Sequence, residues 1–140
     1  MRAALAEGRK ARSICLPNPP VGCVIVANGE IISRGHTNLP GADHAEAMAL
    51  RALKQDNFAE RPLTVYVTLE PCAFHGRTPS CALALANWNI EHVYVGMLDP
   101  DPRNNGKGIT ILQAAGISVT VGVLLQEVEA DLAPFLLQSH

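Results

Sequence analysis

Hydrophobic and polar positions along the chain follow two periods, which divide it into strand-like and helix-like segments. Apolar runs rich in β-branched residues, each short enough for one strand, lie at 21–27, 63–69, 91–98 and 117–123. Asn28-Gly29 is a hairpin signal, so residues 30–34 are predicted to pair with the first run. Helical spacing or helix-forming composition marks positions 2–12, 44–54, 78–88, 109–115 and 124–132.

The order of these segments, α-β-β-α-β-α-β-α-β-α, predicts an α/β fold. Thr78 is the predicted N-cap of the third helix, with Pro79 at its first helical position. A hairpin followed by β-α-β crossovers gives a mixed sheet with helices on both faces. The chain shows no linker and no internal repeat, so residues 1–140 are expected to form a single domain.

Composition and charge narrow the classes of function. Hydrophobic residues make up 48% and the net charge is −2, so we expect a packed core and no nucleic-acid partner. No apolar run reaches the roughly 18 residues that a membrane span requires. The charged N-terminus is unlike a signal peptide, which predicts a cytoplasmic protein whose four cysteines are metal ligands or buried thiols. Apolar helical positions at 124–137 predict a homo-oligomer.

Two short stretches carry the candidate chemistry. His44-Ala45-Glu46 lies at a predicted helix start, Cys72 follows Pro71 at a strand end, and Cys81 lies in the first turn of the next helix. Three protein ligands and one open position are the arrangement of a catalytic zinc site. Because residues two apart on a helix diverge, we expect His44 to be a ligand and Glu46 to carry protons. The pattern H-x-E with a later Pro-Cys and second Cys is typical of zinc deaminases that act on bases.

The alternative is a closed, structural zinc site in a module that binds a partner protein. It requires a fourth ligand, for which His75, Cys15 and Cys23 are candidates. Cys23 lies within a predicted strand and Cys15 precedes a proline segment, so both are interpreted as packing thiols. His75 remains the main rival.

Asn18 is the next candidate for a binding residue. It stands between Pro17 and Pro19, which restrict its backbone. A rigidly held amide can both donate to and accept from a substrate. An Asx-type turn is the structural alternative.

Several stretches resemble the deaminase domain of the bacterial riboflavin-biosynthesis deaminase/reductase, within the cytidine-deaminase-like superfamily. The matching stretches are 17–26, 44–47, 66–72, 75–81, Asp99-Pro100 and 106–108. The offset of nine positions between Cys72 and Cys81 is specific to that branch, since other members keep a shorter P-C-x-x-C. The resemblance implies a three-layer α/β/α fold with a mixed, mainly five-stranded sheet.

The resemblance also implies a site and a reaction. Zinc would be held by His44, Cys72 and Cys81, with Glu46 as the catalytic proton shuttle. The substrate would be an aminopyrimidine that carries a phosphorylated ribosylamino group, and ammonia would be released. The residues that the resemblance assigns to substrate binding are Asn18, Thr37, Phe74, His75 and Arg77.

Three departures from the family pattern widen the choice of substrate. Phe74 and Thr37 stand where histidines are usual, and Met48 replaces the last residue of a His-Ala-Glu-Val-His motif. Arg77 keeps the expected phosphate partner. A second hypothesis is therefore a related deaminase that acts on another free base or nucleoside. In the riboflavin pathway, a separate reductase is the expected partner.

Overall fold

The computed structural model describes residues 1–53, 62–74 and 79–139, which fold around a five-stranded sheet. The order of elements is the one that the sequence predicts. In chain order they are α1 (Arg2–Arg9), β1 (Gly22–Ala27), β2 (Glu30–His36), α2 (Ala45–Leu53), β3 (Leu63–Leu69), α3 (Cys81–Ala86), β4 (Ile90–Met97), α4 (Lys107–Ala114), β5 (Ser118–Val121) and α5 (Leu125–Ser139).

The sheet is mixed, as the hairpin and crossovers predict. Its strand order is β2-β1-β3-β4-β5, with β1 antiparallel to β2 and β3, and with β3, β4 and β5 parallel. The β1–β2 turn is Asn28-Gly29, and both residues have positive φ, 53° and 77°, as a type I′ hairpin requires. β3 is thus the central strand, and its carboxyl end leads to the residues of the candidate site.

The helices form two layers. α2 contacts α3 and α3 contacts α4 in one layer, while α1 and α5 contact each other in the second. On the α2 side of the sheet, Cys23, Val67 and Val95 lie in register across three strands and are fully buried. Gly35, which pairs with Cys23, lets α2 approach β2, because a Cβ there would lie 2.1 Å from the backbone oxygen of Ala45. The first turn of α2 is therefore pressed against the sheet.

The start of α3 differs from the prediction. Ser80, and not Thr78, is the N-cap, and its Oγ accepts a hydrogen bond from the backbone N–H of Leu83 at 3.3 Å. The helix therefore begins at Cys81, and Pro79 precedes it. Thr78 lies outside the described residues. Two hydroxyl residues two positions apart offer the same capping chemistry, so the sequence pattern selected the wrong one.

Other helix ends also differ from their predicted positions. α1 ends at Arg9, and α4 begins at Lys107 after Gly106, whose φ of 88° favours glycine. α5 continues through Pro134 to Ser139. Pro134 is exposed, so water can bond to the carbonyl that the proline leaves without an intrahelical partner.

Three apolar positions of α5 are used within this chain. Val128, Leu132 and Leu136 are buried in the core, at 0%, 1% and 6% exposure. These three supply no free surface, whereas Leu125 is 40% exposed, and the homo-oligomer stays a prediction. No helix in the described part of the chain is long and apolar enough to cross a membrane.

Candidate metal centre and active site

The three side chains that were predicted as ligands meet beyond the carboxyl end of β3. His44 immediately precedes α2, Cys72 follows β3 by three residues, and Cys81 is the first residue of α3. Their ligand atoms all lie within 4.8 Å of one another. His44 Nδ1 is 3.4 Å from Cys81 Sγ and 3.9 Å from Cys72 Sγ. The fold therefore brings together residues that are up to 37 positions apart in sequence.

These separations suit a tetrahedral zinc ion. With bonds of about 2.3 Å to sulfur and 2.1 Å to nitrogen, neighbouring ligand atoms of a tetrahedron lie roughly 3.6–3.8 Å apart. The two nitrogen–sulfur distances, 3.4 and 3.9 Å, bracket that range. One imidazole and two thiols also favour zinc over magnesium or calcium. The group could therefore hold zinc and leave one coordination position to water or substrate.

Hydrogen bonding makes one thiol of this group acidic. The contact with Cys81 lowers the pKa of Cys72 to about 4, and His44 adds to the effect. The same contact, together with burial, raises the pKa of Cys81 well above its ordinary value. The backbone N–H of Cys81 donates to Cys72 Sγ at 3.3 Å, which stabilises a thiolate there. The two sulfurs thus share one negative charge, and a bound cation would favour loss of the second thiol proton as well.

Glu46 lies beside this group without belonging to it. It occupies the first turn of α2, two residues after His44, and it is 4% exposed. Burial raises the pKa of Glu46 to about 7, while His44 opposes that shift. Within the described part of the chain, no other residue donates a hydrogen bond to its carboxylate. A buried carboxylate with oxygens not used by the protein can exchange a proton with a bound molecule.

The candidate fourth ligands do not join the group where the structure describes them. Among residues 1–53, 62–74 and 79–139, no other histidine, cysteine or carboxylate completes it. Cys23 is fully buried within β1, and the Sγ of Cys15, also fully buried, donates to the carbonyl of Asn18 at 3.2 Å. Both agree with packing thiols. His75 lies outside the described residues.

Two of the predicted substrate contacts, Asn18 and Thr37, lie in segments that contact each other. Asn18 is half-buried, its backbone is hydrogen-bonded to Cys15, and its side-chain amide makes no hydrogen bond to the described residues. Thr37 is 4% exposed, and its Oγ1 donates to the carbonyl of Pro19 at 2.9 Å and accepts from Val21 N–H at 3.0 Å. Thr37 therefore fixes the backbone that follows Asn18, and a direct contact between Thr37 and substrate stays a prediction.

Phe74 contacts a cation that the sequence analysis did not single out. The guanidinium carbon of Arg103 lies 4.4 Å from the centroid of the Phe74 ring. Arg103 also donates to both carboxylate oxygens of Asp101, which keeps the guanidinium in place. The signal in the sequence is weak, because Arg103 is one more polar residue of the Pro-rich turn. His75 and Arg77, the remaining predicted contacts, lie outside the described residues.

A buried polar network behind the Cys72 segment was also missed. Glu70 and Asn104 are 3% and 0% exposed, and both hydrogen-bond mainly to backbone groups. Glu70 belongs to the Leu-Glu-Pro-Cys stretch, which was the available signal. Nothing in the sequence around Asn104 distinguishes it from an ordinary turn residue.

Comparisons with known proteins agree with this site. Residues 1–97 match the family described as the cytidine and deoxycytidylate deaminase zinc-binding region. The riboflavin biosynthesis protein RibD of Chlamydia trachomatis is 49% identical over 138 residues, which are 99% of this chain and 36% of that protein. The chain thus spans about a third of the length of the curated relatives it matches.

Solved structures show the same fold. A diaminohydroxyphosphoribosylaminopyrimidine deaminase/5-amino-6-(5-phosphoribosylamino)uracil reductase from Thermotoga maritima is 38% identical, with a TM-score of 0.90 over 97% of this chain and 39% of that one. The Rib2 deaminase of Aspergillus oryzae in complex with DARIPP is 26% identical, with a TM-score of 0.76 over 96% and 88% of the two chains. The predictions of a cytidine-deaminase-like α/β fold and of a zinc cofactor are confirmed, and the chain belongs to the cytidine and deoxycytidylate deaminase zinc-binding family.

Proposed function

We propose that this chain catalyses the zinc-dependent hydrolytic deamination of an aminopyrimidine. The observation that carries the proposal is the placement of Glu46, a buried acid, beside three side chains that can hold zinc and leave one position open. In such a reaction water adds to the ring carbon, the carbon–nitrogen bond breaks, and ammonia leaves a carbonyl behind.

The proposed ligands are His44, Cys72 and Cys81. A zinc ion bound there supplies the Lewis acidity that makes water a nucleophile at neutral pH. The two thiols and the imidazole bring the ion to the end of β3, next to the first turn of α2. These ligands carry no proton for the reaction, so a separate acid and base is needed.

Glu46 is the proposed proton carrier. As a base, it takes a proton from the attacking water and delivers it to a ring nitrogen, which makes the neighbouring carbon electrophilic. It then takes the remaining proton of the added hydroxyl group and passes it to the amine, which departs as ammonia while the carbonyl forms. Its burial at 4% exposure keeps bulk water from competing for these protons.

The substrate we propose is the diaminohydroxyphosphoribosylaminopyrimidine of riboflavin biosynthesis. The names of the Chlamydia and Thermotoga relatives support this choice. Asn18, with its side-chain amide unbonded to the described residues, is available to hold the pyrimidine edge. Thr37, Phe74, His75 and Arg77 complete the set of proposed substrate contacts.

A second candidate is the deamination of another free base or nucleoside. The phenyl ring of Phe74 favours it, because this ring cannot donate a hydrogen bond as an imidazole can, and it stands at a position proposed to approach the sugar phosphate. An unphosphorylated substrate would need no imidazole there. The two candidates differ in whether a phosphate is required.

The partners and compartment follow from the proposed pathway. A reductase that acts on the deaminated product is the proposed functional partner, in the same polypeptide or in another. A homo-oligomer and a cytoplasmic location are also proposed. The free thiols of the ligand group favour a reducing compartment.

The test is ammonia release from a panel of phosphorylated and unphosphorylated aminopyrimidines by the zinc-loaded protein. We expect the phosphorylated riboflavin precursor to be deaminated fastest, and Glu46→Gln to keep its zinc but lose activity by at least about 100-fold. Glu129→Gln, at an exposed position of α5, is the matched control and should leave activity unchanged. Full activity of Glu46→Gln would refute the role of Glu46, and preference for an unphosphorylated base would favour the second candidate.

A further inference from the structure

The segment that carries Cys72 is held by contacts that involve neither of the other ligands. Asn104 lies between β4 and α4 and is fully buried. Its Oδ1 accepts a hydrogen bond from Ala73 N–H at 3.1 Å, and its Nδ2 lies 3.4 Å from the carbonyl oxygens of Glu70 and Pro71. One amide side chain therefore bonds to the backbone on both sides of Cys72.

Asn104 is itself fixed in its loop. Its Nδ2 also lies 3.3 Å from Asp99 Oδ2, and its backbone N–H donates to the carbonyl of Asp101 at 2.8 Å. Gly108, at the start of α4, leaves room for the close approach of the two segments. A Cβ there would lie 1.9 Å from the carbonyl oxygen of Pro71.

Glu70 also connects these two segments: it lies in the segment of Cys72, and its carboxylate bonds to the segment of Asn104. Its Oε1 accepts from the backbone N–H groups of Asp99 and Gly106, at 3.1 and 3.0 Å, and its Oε2 accepts from Ile109 N–H at 3.2 Å. The loop that carries Asn104 is thereby anchored to the residue two positions before Cys72. A shift of Cys72 would have to break several buried hydrogen bonds at once.

We propose that Asn104 is a positioning residue for the zinc centre, which keeps the sulfur of Cys72 in reach of His44 and Cys81 by fixing the backbone around it. The inference rests on the proposed function, in which Cys72 is a zinc ligand. None of the hydrogen bonds of Asn104 involves a ligand atom. Removing such outer supports typically weakens metal binding by roughly 10–100-fold.

The test measures how fast zinc passes from the loaded protein to a colorimetric chelator. Asn104→Ala and Asn104→Ser should each release zinc at least about 10-fold faster than the wild type. Leu132→Ala is the matched control, because Leu132 is 1% exposed and lies in the α1–α5 layer. It should lower the melting temperature and leave the rate of zinc release unchanged. Release from the Asn104 variants at the wild-type rate, or equal acceleration by Leu132→Ala, would overturn the proposal.

A second measurement needs no variant. In the zinc-loaded wild type, the amide of Ala73 should exchange with deuterium slowly, because Asn104 accepts its hydrogen. Exchange at the rate of an unstructured amide would overturn the proposal. Cys72→Ser separates this inference from the proposed function. Retention of zinc by Cys72→Ser would remove Cys72 from the ligand set, whereas loss of zinc there, with release from the Asn104 variants at the wild-type rate, would reject only the role of Asn104.

Discussion

Two buried glutamates lie near the ligand group, and their surroundings are opposite. Glu70, 3% exposed, accepts three hydrogen bonds from backbone N–H groups of the segment from Asp99 to Ile109. Glu46, 4% exposed, accepts no hydrogen bond from any other residue in the described part of the chain. Burial alone therefore does not distinguish a carboxylate that supports the fold from one that is available for chemistry. The hydrogen-bonding capacity left unused by the protein does.

The largest effect on stability in this comparison is expected for Glu70→Gln. The side-chain amide of the substituted glutamine keeps one oxygen as an acceptor. Its NH2 group then faces another donor, either the backbone N–H of Ile109 or the backbone N–H groups of Asp99 and Gly106. An unsatisfied buried group of this kind costs about 1–3 kcal/mol. Chemical denaturation of the zinc-loaded protein should show that loss, whereas turnover per folded, zinc-loaded molecule should stay within a few-fold.

Glu91→Gln is the control, since Glu91 is exposed on β4 and its substitution should change stability by less than about 0.5 kcal/mol. Glu46→Gln should show the reverse of the Glu70 result, with activity lost and stability kept. If Glu70→Gln abolished turnover without lowering stability, the division between the two glutamates would be wrong.

The same contrast explains what could be predicted from the sequence. His44, Cys72 and Cys81 are predicted as zinc ligands from the sequence because few residue types bind zinc and because a strand end and a helix start can converge. The mixed sheet followed from the Asn28-Gly29 hairpin signal and the alternation of later strands and helices. These predictions depend on residue chemistry and periodicity, which a sequence displays directly.

Asn104 and the cap of α3 show where such reasoning ends. Asn104 acts through the amide of Ala73 and the carbonyl of Pro71, and every residue has such backbone groups, so no pattern of side chains marks the contact. Ser80 and Thr78 were equivalent as caps until the path of the backbone selected one. Both outcomes depend on tertiary geometry.

Glu7 gives a third case, a buried carboxylate that is paired with Lys10 and His36 outside the site. It is 4% exposed, with its oxygens 2.8 Å from Lys10 Nζ and 2.9 Å from His36 Nδ1. Burial by itself would raise the pKa of Glu7, but the hydrogen bonds from Lys10 and His36 outweigh it, so the pKa is lowered below 4.5. The unfolded chain therefore binds a proton more readily than the folded one, and the stabilisation is present at neutral pH and lost as pH falls.

Glu7→Gln should accordingly lower the free energy of unfolding by about 1 kcal/mol at pH 7. The difference from the wild type should shrink as pH falls through and below 4.5, where Glu7 in the wild type becomes protonated. Urea denaturation of both proteins across that range measures it, with Glu129→Gln as the exposed control. A difference that grew toward low pH would contradict the assigned direction of the pKa shift.

The smallest effect on zinc binding is expected for His75→Ala. This variant tests whether the metal position next to Glu46 is open. A closed, structural site would need His75 as a fourth ligand, whereas the proposed deaminase needs that position free for water. His75→Ala should therefore keep its full zinc content by elemental analysis and lose zinc to a chelator at the wild-type rate, while KM for the phosphorylated substrate rises. Cys72→Ser, measured in parallel, should lose the metal. If His75→Ala lost zinc as Cys72→Ser does, the unused capacity of Glu46 would have no neighbouring water to act on, and the comparison with Glu70 would reduce to two structural carboxylates.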